Sequence, residues 1–182
     1  TTLEDGADLI TATAGTSNFR AGVNAGNSIQ SGGNFNVTVG DEAGTALTTA
    51  DKSTAVGYGA LAAATTAGNN TAVGANALAA TTGQANTGVG EGALESNVAG
   101  TFNVAIGANS LDADTTGSKS VAVGYAALTT QNFTTATDGF NVAMGYEAGT
   151  AITTGVQNTL IGGLAGTSLT TPNQNVAVGH GA

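Results

Sequence analysis

A five-residue pattern recurs along the whole chain: Asn or Ser, a β-branched residue, a small residue, an aliphatic residue, then Gly. Nine good copies end at Gly40, Gly57, Gly74, Gly90, Gly107, Gly124, Gly145, Gly162 and Gly179, with one longer interval between Gly124 and Gly145. A degenerate tenth copy, Asn18-Phe19-Arg20-Ala21-Gly22, precedes them at nearly the same interval. Helical hairpin repeats need roughly 33 residues or more, so a period this short excludes them and fits one coil of a β-solenoid with two short strands and two turns. The expected fold is therefore all-β, a parallel β-solenoid of about ten coils of roughly 17 residues. Residues 18–182 form the array, and residues 1–17, which do not fit the repeat, are expected to cap the first coil or to dock into a neighbouring unit.

Composition agrees with a fold held by backbone pairing. Charged residues make up 8% of the chain, against roughly 25% in an ordinary soluble domain. Three Lys and Arg face 12 Asp and Glu, a net charge of −9, which excludes a basic nucleic-acid footprint. There is no Cys, hence no disulfide or thiolate metal site, and 29 Gly with one Pro imply many turns. The segment Thr1 to Ile10 is acidic and does not resemble a positively charged signal sequence, and no apolar run reaches the ~18 residues of a membrane helix.

Side chains alternate along a strand, so each copy has two faces. Val39, Val56, Val73, Val89, Ile106, Val123, Met144, Ile161 and Val178 precede the glycines. Two residues earlier stand Val37, Thr54, Thr71, Thr87, Val104, Val121, Val142, Thr159 and Val176. These two columns are expected to line the coil interior. The column between them, Ala55, Ala72, Ala105, Ala122, Ala143 and Ala177, would then face outward as a small apolar stripe, and it is expected to be the interface through which copies associate. The glycines are read as structural corners and the Asn column as turn residues that stack in hydrogen-bonded ladders.

Beyond each corner two coil types diverge. Central coils place Leu61, Leu78, Leu94, Leu111 and Leu128 four residues after Gly, whereas outer coils have Gly there and an aliphatic residue at plus seven, such as Leu47, Ile152 or Leu169. Each coil thus keeps one large anchor on its second strand.

The elements Ser120-Val121-Ala122-Val123-Gly124 and Asn103-Val104-Ala105-Ile106-Gly107 resemble the head repeats of trimeric autotransporter adhesins. The longer form, Asn70 to Leu78 followed by Thr81-Thr82-Gly83, is also similar to repeats of bacteriophage tail fibres of the same β-roll type. This resemblance implies a left-handed β-roll, three chains side by side, and display at a bacterial surface or on a virion tail. The coils of adhesin heads are usually shorter than these, and neither a stalk nor a chaperone domain is recognisable in the sequence.

The resemblance implies a structural and adhesive extracellular rod that displays or forms a receptor-binding surface, with a cell-surface receptor or glycan as its partner. The chain ends at Ala182 part-way through a coil, which suggests a second reading, the subunit of a head-to-tail extracellular filament. A third is an ice-binding solenoid, from the recurrent Thr pairs Thr48-Thr49, Thr65-Thr66, Thr81-Thr82, Thr115-Thr116, Thr153-Thr154 and Thr170-Thr171.

No enzyme, cofactor or metal is expected. His180 has no visible catalytic partner, and Asp41-Glu42 and Asp112/Asp114 fall short of the six to eight oxygen ligands of a calcium loop. The longer interval inserts extra residues around 131–139, expected as a surface loop, with Phe133 and Asp138 as its candidate receptor contacts.

Overall fold

A computed structural model describes residues 13–182. Its strands are β1 Phe19–Ala21, β2 Val37–Val39, β3 Thr54–Val56, β4 Thr71–Val73, β5 Thr87–Val89, β6 Val104–Ile106, β7 Gly117–Ser118, β8 Val121–Val123, β9 Thr137–Asp138, β10 Val142–Met144, β11 Thr159–Ile161 and β12 Val176–Val178. Ten of them form one parallel sheet in sequence order, β1-β2-β3-β4-β5-β6-β8-β10-β11-β12, and β7 pairs with β9 in a second, two-stranded sheet. Each strand of the large sheet meets the equivalent residues of the next, as in Val104↔Val121, Ala105↔Ala122 and Ile106↔Val123. The described chain is a parallel β-solenoid of about nine turns without a helix.

The second strand expected to carry each anchor is absent among the described residues: that half of the coil has turn geometry, its anchor leucines standing in left-handed backbone, but it is paired as regularly as the strands. The amide four residues after the corner donates to the next coil's carbonyl three residues after its own corner: Leu78 N to Ala93 O at 2.9 Å, Leu94 N to Ser110 O at 3.0 Å, Leu111 N to Ala127 O at 2.9 Å. This ladder replaces much of what a larger apolar core would supply.

The corners require left-handed backbone. Gly107 has φ +130°, and a Cβ built there would lie 2.4 Å from the carbonyl oxygen of Gly124 in the next coil. Conformation and space both demand glycine at that position. The opposite corner is closed by buried Asn side chains. Asn103 Oδ1 accepts the Ser120 amide of the next coil at 2.9 Å, while its Nδ2 donates across the coil to Gly117 O at 2.7 Å. The same two bonds recur at Asn36, Asn86, Asn141 and Asn158.

The interior reverses the expected assignment of strand faces. Ala55, Ala72, Ala105, Ala122 and Ala143 are fully buried in the core with Leu61, Leu78, Leu94, Leu111 and Leu128, and Ala177 packs against that cluster at the last strand. The alanines are therefore not an interface between copies. The Val and Thr columns point out of the coil. Interior width is the reason: even at Gly88, the glycine of the inward column, an added Cβ would sit 3.2 Å from Leu78 Cγ. Where a larger residue does stand in that column, as Leu160 does, glycine faces it, and a Cβ at Gly166 would meet Leu160 Cδ1 at 2.8 Å.

Residues 1–12 lie outside the described chain, so the expected cap or docking role of 1–17 concerns described structure only at its end. There, Thr16 O accepts the Phe35 amide at 3.0 Å and Thr16 N donates to Asn34 Oδ1 at 2.8 Å, so this stretch already stacks on the array.

Candidate interaction face

Because Asn103 and Ala105 point inward, Val104 and Ile106 must point outward. Repeated over ten strands spaced ~4.8 Å apart, this produces a face about 43 Å long. In the nine strands of the large sheet after β1 its two columns are β-branched or aliphatic, with Thr at 54, 71, 87 and 159, and Ile106 is 41% and Met144 43% exposed, against 0% for Ala105 and Ala143 beside them. Single exposed apolar residues are ordinary on a protein surface, whereas a contiguous apolar strip along a whole sheet marks an interaction surface.

Aromatic residues frame the strip on both sides. On the rim before the strands, Phe35, Phe102 and Phe140 are exposed, each at a corner with left-handed backbone. On the rim after the glycines stand Tyr58, Tyr125 and Tyr146, also exposed, and the Tyr125 and Tyr146 rings stack with centroids 5.4 Å apart. Hydrogen bonding to Glu147 raises the Tyr146 hydroxyl above its ordinary pKa. Lys119 Nζ lies 5.3 Å over the Phe140 ring and 2.6 Å from Asp138 Oδ2.

The insertion divides the two residues expected to touch a receptor. Asp138 is exposed on β9 and engaged by Lys119. Phe133 is only 4% exposed, which removes it as a receptor contact. Its ring fills the space left by glycines, lying 2.6 Å from a Cβ built at Gly117 and 3.1 Å from one at Gly139. Its amide donates to Asp114 Oδ1 at 3.1 Å, and its carbonyl accepts the Thr115 and Thr116 hydroxyls at 2.9 and 2.6 Å. The extra residues thus add a small buried cluster, with Thr134 to Ala136 exposed above it. The exposed aromatic beside Asp138 is Phe140. Only its place immediately before the corner Asn141 could have marked it in the sequence.

Beneath this loop runs an inward polar column. Thr81, Asn97, Asp114 and Gln131 occupy the position taken elsewhere by Leu47 or Ile152, and all four are buried. Thr81 Oγ1 donates to Asn97 Oδ1 at 3.2 Å, Gln131 Nε2 donates to Asp114 Oδ2 at 2.6 Å, and Asn141 Nδ2 donates to Gln131 Oε1 at 2.8 Å. Asn97 Nδ2 has no partner among the described residues. Burial raises the Asp114 pKa above its ordinary value, against the opposing effect of donors from Gln131, Phe133 and Gly117.

The recurrent Thr pairs serve the backbone. Thr48, Thr82 and Thr153 donate their hydroxyls to Thr65 O, Val98 O and Thr170 O of the following coil at 3.0, 2.8 and 3.1 Å. Among the described residues no group of three or more His, Asp or Glu could hold a metal ion. A cavity of about 320 Å³ opens at the last coil, lined by Leu169, Asn175 and Ala177 among others, and continues the inward columns of the core. The sequence matches no protein-family model, no curated protein and no solved structure.

Proposed function

We propose that the chain is a rod segment that works by self-association: copies pack side by side through the outward Val, Thr, Ile and Met columns, building a stiff extracellular fibre of the phage tail fibre or surface adhesin type. The observation that carries this reading is the long apolar sheet face left open on the single chain. With a length of about 43 Å and at most ~20 Å of chain between the aromatic rims, it offers up to roughly 850 Å². A stable two-partner interface buries about 1,600 Å² in all; three copies, each dividing its face between two neighbours, would bury up to roughly 2,550 Å² together. Three copies are proposed from the resemblance of the repeats to trimeric adhesin and tail fibre segments. In such a bundle the outward faces meet at the axis, and the turn sides with the Thr134 to Ala136 loop are left to contact a receptor or glycan.

Light scattering together with negative-stain microscopy tests the proposal. A particle of three chains, rod-like and discrete, is expected. A monomer that persists at high protein concentration overturns it. Open-ended fibres would instead favour the head-to-tail filament.

A further inference from the structure

The open face carries one side chain that a mild oxidant can change. The chain has one Met and no Cys, so a peroxide finds a single thioether and no thiol. Met144 stands on β10 beside Val123 of β8 and Ile161 of β11 in the same outward column, and it is 43% exposed. Unlike those β-branched neighbours it is unbranched and polarisable, a side chain that adapts its shape to a contact. Among the described residues β10 is also the one strand of the large sheet with an exposed aromatic ring on each rim, Phe140 before it and Tyr146 after it. Aromatic residues and Met are enriched where proteins touch, and a few such side chains carry most of the binding energy.

We infer that Met144 is an oxidation site that controls the association of copies: the reduced thioether belongs to the contact, and the sulfoxide prevents it. The oxidant is a peroxide. Its O–O bond breaks, one oxygen bonds to the sulfur through a sulfur lone pair, and the other leaves as water with both protons. The sulfur thereby gives up the two electrons that the peroxide takes. The product is polar where the thioether was apolar. Water satisfies its oxygen on a free chain, whereas burial against the Val, Ile and Met columns of a neighbour would leave that oxygen unpaired. The coil itself is untouched, because Ala143 and not Met144 faces the core. The relation also runs the other way, since a copy packed over β10 screens the sulfur from peroxide. The inference rests on the self-association proposed above and names what controls it.

The native chain is treated with dilute hydrogen peroxide at one concentration where copies are separate and at another where they are joined. Trypsin cuts after Lys119 and next finds no Lys or Arg, so residues 120–182 carry Met144 alone and mass spectrometry follows the gain of one oxygen there. Oxidation is expected to be roughly tenfold slower in the joined state. A chain oxidised while separate is expected to assemble at least about tenfold more weakly in sedimentation, with its circular dichroism unchanged. Methionine sulfoxide reductase should restore assembly, and Met144→Leu should assemble equally with and without peroxide. Equal oxidation rates in the two states, an oxidised chain that assembles as the native one does, or a Met144→Leu chain that peroxide separates would overturn the oxidation site alone. A native chain that stays single at high concentration would overturn the self-association itself.

Discussion

Asn103 shows how one side chain holds a coil closed. It is fully buried, and its amide makes one bond up the stack and one across the coil. Asn103→Ala leaves the Ser120 amide and the Gly117 carbonyl unpaired in the interior, each at roughly 1 to 3 kcal/mol. A loss of about 2 to 6 kcal/mol is therefore expected in denaturant unfolding. Asn97 presents the opposite case, since its Nδ2 is buried without a partner among the described residues. Asn97→Thr, the residue found one coil earlier at Thr81, removes that donor and is expected to raise stability by about 1 kcal/mol in the same measurement. Asp114 gives the fold an inverted pH response. Its folded pKa is raised above the ordinary 3.8 by burial, so the folded state binds the proton more tightly than the unfolded chain. Its contribution is most favourable below pH 3.8, falls as pH rises from there through the folded value, and is constant above it. Subtracting the stability profile of Asp114→Asn from that of the native chain should expose this falling segment; a difference that rises with pH there would contradict the effect of burial.

Each coil solves the same packing problem with one of two side chains. Leu61, Leu78, Leu94, Leu111 and Leu128 sit at φ of 52 to 55°, a conformation that outer coils give to glycines such as Gly44 and Gly149. Left-handed backbone costs a leucine roughly 1 to 2 kcal/mol. Burying its side chain returns about 1.5 to 3 kcal/mol, so the anchor outweighs the strain. In the outer coils the space is filled from plus seven, where a Cβ at Gly44 would lie 2.6 Å from Leu47 Cδ1. Leu94→Gly is expected to destabilise the chain by about 2 to 4 kcal/mol in denaturant unfolding, because the cavity left behind exceeds the relief of strain. This exchange of anchors was legible in the spacing, as were the ten parallel strands and the corner glycines. Which face of each strand points inward was not. Assigning the large β-branched residues to the interior follows the usual burial preference, but so short a coil is too narrow to accept them opposite Leu78 or Leu94. The corner Asn carried the missing signal: it shares its parity with Ala105, and a ladder-forming Asn belongs inside. Phe133 escaped for a related reason, since the glycines that make room for its ring, Gly117 and Gly139, lie on either side of it in sequence with no pattern linking them.

The described chain is a stack of coils whose interior is filled by Ala and Leu columns and closed by Asn ladders, and whose Val and Thr columns stand outward. Under the proposed self-association the outward columns serve association and the inward columns serve folding, so the two should separate under mutation. Ala105→Glu places a carboxylate among buried leucines and is expected to abolish folding, read as loss of the β-sheet circular dichroism spectrum. Ile106→Glu, one residue along and on the open face, places it where a neighbouring copy would pack. The most direct test is the sedimentation mass of Ile106→Glu beside that of the native chain, with circular dichroism recorded on both. An oligomer is expected for the native chain and a folded single chain for the variant, its spectrum unchanged. An unchanged mass would mean that the face is not the contact between copies, and a variant that loses its β-sheet spectrum would mean that Ile106 belongs to the fold and not to the assembly.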